Sequence, residues 1–201
     1  MSDNVVWHPG AVTPRQRWAA TGGRGATLWF TGLSASGKST IAAAVEARLV
    51  HAGRPAYLLD GDNLRHGLNA DLGFSAPDRA ENVRRVAEVA RLLADAGVVA
   101  LTTLISPYAA GRAHARTIHD GSGLPFAEIW VSTPLSVCEA RDPKGLYARA
   151  RAGEISGFTG VDDPYEPPAR PDLELPAHQM TLEDAVAAVM RLLEERGVIC
   201  R

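Results

Sequence analysis

The sequence predicts an α/β protein built on a mainly parallel sheet, and two observations carry that reading. Short apolar runs of strand length alternate with longer stretches of helical periodicity, the pattern that strand–helix–strand units leave in a chain. Neither an internal repeat nor a low-complexity linker interrupts them, and 46% hydrophobic content over 201 residues suffices for one domain, 1–201, with a substantial core.

The elements follow in order. ATLWFTG (26–32) reads as a buried first strand, and STIAAAVEARLVHAG (39–53) as a helix stopped at Gly53. AYLLDGD (56–62) is a second strand that ends in carboxylates. DRAENVRRVAEVARLLADAG (78–97) is the strongest helix. Val83, Ala87, Ala90 and Ala94, joined by Val86 and Leu93, form its apolar stripe, while Glu81–Arg85, Arg84–Glu88 and Arg91–Asp95 stand at i,i+4 on its wet side. VVALTTLIS (98–106) and AEIWVST (127–133) are strands three and four, LEL (173–175) a short last strand, and TLEDAVAAVMRLLEERG (181–197) a terminal helix. Pro107 of ISPY suits the first position of a further helix, with Ser106 near its N-cap. Residues 142–172, rich in Gly and Pro with at most one short helix, are too long for a casual connection. Tyr147, Ile155, Phe158, Val161 and Tyr165 are too many apolar anchors for a solvated linker, so this segment reads as a lid.

Bulk properties exclude several classes of function. A net charge of −2 gives no footprint for non-specific nucleic-acid binding. No apolar run reaches membrane-spanning length, and the N-terminus lacks the basic start and apolar stretch of an export signal. Cys138 and Cys200 read as free thiols of a reducing cytoplasm, and the six histidines show no metal-ligand spacing. The cations are more telling: two lysines, Lys38 and Lys144, stand against nineteen arginines. Lysine is a compact point charge that meets a phosphate end-on, so both are phosphate-site candidates.

GLSASGKST (32–40) matches G-x-x-x-x-G-K-[ST] between a strand and a helix, the context that gives the motif its meaning. Gly32 and Gly37 permit backbone conformations closed to other residues. Successive N–H groups from Leu33, Ser34, Ala35 and Ser36 on to Thr40 then face a phosphate chain. Lys38 reaches the terminal phosphates and Ser39 offers a hydroxyl to Mg²⁺, so the stretch predicts an ATP-type mononucleotide with its metal. Only YLLDGD supplies acids at a strand end. Asp60 and Asp62 flank Gly61 where open α/β sheets bind ligands, and either can serve the metal or an attacking hydroxyl; the alternative is a helix-capping Asp62 beside a turn glycine. Beyond them, Arg65, the loop aromatic Phe74, and Arg79 with Asn82 at the start of the strong helix suggest a planar ring bearing an anion. Ser106 divides evenly between a substrate contact and a plain helix cap.

Taken together, GLSASGKST, DGDNLR, GFSAPDRAENVRR, ISPY, RDPKGLYARARAGEISGFTGVDDPYEPP and the N-terminal WHPGAVT resemble the adenylylsulfate kinase family, from about Val5 to Gly197. The resemblance implies a P-loop NTPase-type three-layer sandwich, usually a homodimer, in which ATP with Mg²⁺ phosphorylates the ribose 3′-hydroxyl of adenosine 5′-phosphosulfate during sulfate assimilation. It also raises an association with ATP sulfurylase. It implies that Phe74 and Phe158 sandwich the acceptor's adenine. Arg65, Arg79 and Asn82 hold its phosphosulfate and ring; Ile105, Ser106, Lys144 and Leu146 complete the pocket; Ser39 and Asp62 serve the metal; and Arg141 lies near ATP. The family pattern also puts a phosphoserine intermediate at Ser106, whereas the cradle suits direct in-line transfer. Ala35, Ala109 and Ser132 depart from the pattern. Two other readings are a different small-metabolite P-loop kinase, of gluconate or nucleoside type, and a nucleotide switch without turnover. The first leaves Phe74, Phe158 and KGLY without a use; intact Lys38, Asp60, Asp62 and Lys144 weigh against the second.

Overall fold

The computed structural model describes residues 4–6, 8 and 10–200; Trp7 and Pro9 of the WHPG stretch lie outside them. Five strands, β1 (Ala26–Thr31), β2 (Ala56–Asp60), β3 (Val99–Thr103), β4 (Phe126–Val131) and β5 (Leu173–Leu175), form one sheet in the order β2-β3-β1-β4-β5. Every neighbouring pair is parallel. β1 is central and buried at every position, which is why it carries the near-continuous apolar run ATLWFT. The expected α/β class with a parallel sheet is the one observed, and all five strands lie where the sequence places them, LEL included.

Helices cover both faces, giving three layers. On one side α2 (Lys38–His51) and α8 (Leu182–Glu195) pack on Leu28, Phe30, Leu101 and Ile129. On the other, Val83, Val86, Ala87 and Ala90 of α4 (Ala76–Asp95) and Ala115 of α5 (Ala109–Asp120) close over Trp29, Ala100 and Phe126. Each large apolar side chain buried here contributes about 1.5–3 kcal/mol. Helix starts follow local chemistry: Ser75 accepts from the Asp78 N–H to open α4, and Thr181 accepts from the Asp184 N–H to open α8.

The differences from expectation are local. α4 begins at Ala76 because Ser75 caps it. On its wet side Glu81 takes both Arg84 and Arg85, Arg91 pairs with Glu88, and Asp95 turns instead to Arg17 of α1 (Pro14–Ala20). α5 begins at Ala109 with Tyr108 as N-cap, so Pro107 stands outside the helix and Ser106 does not cap it. Four short helices escape a reading by periodicity: α1, α3 (Gly61–Leu64), α6 (Leu135–Arg141) and α7 (Leu146–Arg151). Pieces this short owe their helicity to tertiary contacts. Among the described residues, no helix is long and apolar enough to cross a membrane.

Candidate active site

The carboxyl ends of β1, β2 and β3 open into one cleft of about 560 Å³, roofed by residues 144–159 of the lid. At its base lies the loop after β1. Gly32 sits at φ 147°, and a β-carbon there would meet the Val131 carbonyl at 2.6 Å, so only glycine fits. Gly37, at φ 108°, opens α2 without a side-chain cap, leaving the first N–H groups of that helix to a ligand. Ala35, at φ 59°, holds a left-handed conformation that a β-carbon penalises. Thr133 Oγ1 donates to the Ser36 carbonyl at 2.8 Å, and Arg141 Nη1 reaches the carbonyls of Ala35 and Ser36 at 3.3 and 3.4 Å, bracing the loop from outside. Ser39 and Thr40 are exposed in the first turn of α2, while Leu33 and Ser34 shape the loop's rim.

Lys38 is buried, and its ammonium donates to the Leu33 carbonyl at 2.6 Å and to Ser36 Oγ at 3.3 Å. Burial pushes it down from 10.5 to about 8, against the opposing pull of the Cys138, Asp60 and Asp62 charges. Ser39 Oγ donates to Asp60 Oδ2 at 2.8 Å, and Thr103 Oγ1 donates to the same oxygen at 2.8 Å. The backbone N–H groups of Asp62 and Asn63 donate to Asp60 Oδ1, making Asp60, not Asp62, the cap of α3. Burial works to raise the Asp60 carboxyl, but these four donors outweigh it and hold the group below the usual carboxylate range. Asp62 is exposed and pairs across the cleft with Lys144. The structure thus joins Ser39 to Asp60 directly, while Asp62, expected with Ser39 at the metal, faces Lys144 instead.

The far half of the cleft holds the aromatic and basic residues. Phe74 is 63% exposed, with the Arg65 guanidinium 4.1 Å over its ring and that of Arg79 at 5.9 Å. Arg65 Nη1 donates to the carbonyls of Leu72 and Gly73. Burial, then the neighbouring Arg79 charge, pushes Arg65 down, against the opposing pull of Asp62 and Asp78. Arg79 is more committed. It donates to the carbonyls of Phe74 and Gly157 and to Thr159 Oγ1, clamping the lid loop onto the loop that bears Phe74. The Asn82 carboxamide accepts from buried Asn69 Nδ2 at 2.9 Å. Phe158 faces the same cleft and meets Tyr147 edge-on, with centroids 5.0 Å apart; its N–H and that of Gly157 are both held by the Asp162 carboxylate. Ile105 and Leu146 line the cleft between the halves. Ser106 is 3% exposed at φ 40°, its Oγ accepting from the Trp29 indole N–H at 3.2 Å.

Every residue expected in the acceptor pocket therefore lines one cleft, as do Ser34, Ala35, Lys38 and Ser39; Gly32, Leu33, Ser36, Gly37, Thr40 and Arg141 form the backing of the cradle instead. Sequence reasoning missed Thr103, Trp29, Tyr147 and Arg112. A threonine pair inside a wholly buried strand, LTTLIS, was the available signal for Thr103; the others depend on contacts between distant segments.

A phosphate cradle at the end of the central strand, an acid at the end of β2 two strands away and a second pocket under a lid define a P-loop phosphotransferase. The sequence profile of the adenylylsulphate kinase family matches residues 24–176. The adenylyl-sulfate kinase of Vibrio cholerae serotype O1 is 53% identical over 199 residues, 99% of this chain and 92% of that one. The chain belongs to the adenylylsulfate kinase family. Among solved structures, Mycobacterium tuberculosis APS kinase in complex with AMPPNP and APS matches with a TM-score of 0.83 at 57% identity, covering 86% of this chain and 99% of that chain. A hexameric APS kinase from Thiobacillus denitrificans matches at 0.68 and 32% identity, covering 88% of this chain and 30% of that one.

Proposed function

We propose that the chain transfers the γ-phosphoryl group of ATP to the ribose 3′-hydroxyl of adenosine 5′-phosphosulfate (APS), yielding ADP and 3′-phosphoadenosine 5′-phosphosulfate. One observation carries this reading: a single cleft joins the phosphate cradle to a pocket with two aromatic rings and a cation-rich wall, with the Asp62–Lys144 pair at the seam. The relatives named above support it. The cradle N–H groups and Lys38 hold the β- and γ-phosphates. Phe74 and Phe158 take the faces of the acceptor's purine, Asn82 its edge, and Arg65 the phosphosulfate, while Arg79 keeps both aromatic loops in place. Ile105, Ser106 and Leu146 pack the remaining sides.

Asp62 accepts the proton of the 3′-hydroxyl as its oxygen attacks the γ-phosphorus, and the bond to the β–γ bridging oxygen breaks in line. Lys144 leaves Asp62 for the transferring group as the lid closes, and Arg141 steadies the cradle. Mg²⁺ fits the residues present. Ser39 offers a hydroxyl and Asp60, with Asp62 beyond it, offers carboxylate oxygens, the hard donors that this ion shares with substrate phosphates. When bound, Mg²⁺ neutralises the charge that develops on the phosphates. Direct transfer suits Ser106 better than a phosphoserine does, because its hydroxyl is buried and occupied by Trp29.

The reading includes a homodimer in a reducing cytoplasm; the hexameric Thiobacillus relative supports an oligomer of some order. The deciding assay supplies MgATP with a panel of acceptors, APS, gluconate, nucleosides and buffer alone, and measures ADP. Release with APS that does not exceed release in buffer refutes the proposal.

A further inference from the structure

Arg112 lies on α5 at 4% exposure, an unusual depth for a guanidinium. Its Nε donates to Glu128 Oε1 of β4, its Nη1 to the Ser106 carbonyl and its Nη2 to the Glu166 carbonyl, each at 2.7 Å. Three separate segments meet on this one fork: the sheet, the loop after β3 that lines the acceptor pocket, and the returning end of the lid. Other bonds converge on the same junction. Thr31 Oγ1 donates to the Ile105 carbonyl at 2.7 Å and lies 3.1 Å from the Tyr165 hydroxyl, and the Glu166 N–H donates to the Pro107 carbonyl. The Glu166 carboxylate in turn accepts the first N–H of α5 at 2.7 Å.

Stability alone gives no reason for a charge here, since an ion pair this deep loses much of its attraction to desolvation and an apolar pair serves as well. Two carbonyls from irregular segments do need a donor, and a planar fork satisfies both while its third edge is held by Glu128. One of those carbonyls belongs to Ser106, whose φ of 40° is disfavoured for a residue with a side chain.

We infer that Arg112 is a positioning residue. It holds Ser106 in its twisted conformation and bolts the returning end of the lid to the acceptor wall, so that this wall is formed before either substrate arrives. Glu128 orients Arg112. The consequence for turnover rests on the acceptor pocket proposed above; the consequence for geometry does not.

The test compares Arg112→Met/Glu128→Met, which removes both charges together and leaves neither buried alone, with Glu128→Gln, which spares the two carbonyl contacts. In ¹⁵N-labelled, ligand-free protein the indole signal of Trp29, one of four tryptophans, reports the Ser106 contact. It is expected to move in the double variant and to stay in Glu128→Gln. In turnover the double variant is expected to raise the acceptor KM about ten- to a hundredfold and to change the ATP KM by less than about twofold. Arg112→Lys keeps a charge against Glu128, and hence the fold, but cannot serve both carbonyls, so the same Trp29 shift and acceptor-selective loss are expected. A Trp29 signal at its wild-type position in Arg112→Lys or the double variant, or acceptor and ATP KM rising together, overturns the inference. The indole measurement decides even if APS proves not to be the acceptor.

Discussion

Nucleotide binding by this chain is expected to take up a proton at alkaline pH. Without ligand, the Lys38 ammonium is buried against the cradle's own Leu33 carbonyl and Ser36 hydroxyl, and burial lowers it to about 8 from 10.5. That depression corresponds to roughly 3 kcal/mol of disfavoured charge. A bound phosphate chain surrounds the same nitrogen with negative oxygens and restores the ordinary value. The sign follows directly. Below about pH 8 the lysine is charged both with and without ligand, and affinity is flat. Above it the free protein has lost a proton that the complex keeps, so affinity falls as pH rises. With these values, ADP binds about tenfold more weakly at pH 9 than at pH 7, and binding at pH 9 takes up nearly one proton. The nucleotide's own phosphates are already ionised there and add nothing. Titration calorimetry in two buffers of different ionisation heat at pH 9 measures the uptake, with Lys38→Met as the reference that loses it. Equal heats in the two buffers, or an affinity unchanged between pH 7 and 9, would refute the argument that burial without a phosphate discharges this lysine.

Three further outcomes follow from the same geometry. Phe74→Ala removes an exposed ring that stands against the Arg65 and Arg79 guanidinium groups. It is expected to raise the acceptor KM about tenfold or more with ATP affinity nearly intact, and steady-state kinetics showing equal weakening of both contradicts the stacking role. Lys144→Arg keeps the charge that faces Asp62 yet replaces an end-on ammonium with a fork, so kcat should fall, while the alanine variant should lose on the order of 10²-fold; wild-type turnover by Lys144→Arg would reduce the lysine to a compositional accident. Ala35→Gly relieves the left-handed strain at φ 59° and should raise the ligand-free Tm by about 2 °C, and a scanning-calorimetry Tm that stays or drops shows no strain there.

What was legible in the sequence was what is local. The cradle is one unbroken stretch whose glycines and lysine act within their own loop, so its spacing alone places it. The inner strands were legible because a sheet buried on both faces demands apolar runs, whereas the edge strand Leu173–Leu175 buries only Leu175 and leaves Glu174 exposed, so it shows as a bare alternation. The division of labour between Asp60 and Asp62 was not legible, because it depends on register. β2 and β3 align Asp60 with Thr103, and that neighbour's hydroxyl, with Ser39 opposite, fixes which acid serves the cradle. Arg79 illustrates the same limit. The turn it shares with Asn82 was readable, but not that three of its donors are spent on the chain itself. Arg112 gave no signal at all, since its three acceptors lie in segments far apart in the chain.

Tyr147 carries a consequence for how the two substrates sense one another. Its hydroxyl donates to the Ser34 carbonyl at 3.1 Å, and its ring abuts that of Phe158. A single stiff phenol therefore links the loop after β1 to the ring of Phe158. Any rearrangement of the Ser34 peptide on nucleotide arrival must push or release that phenol, and Phe158 rides on it. On the proposed reading, a nucleotide that shifts the Ser34 peptide is therefore expected to be felt at the Phe158 ring through this contact.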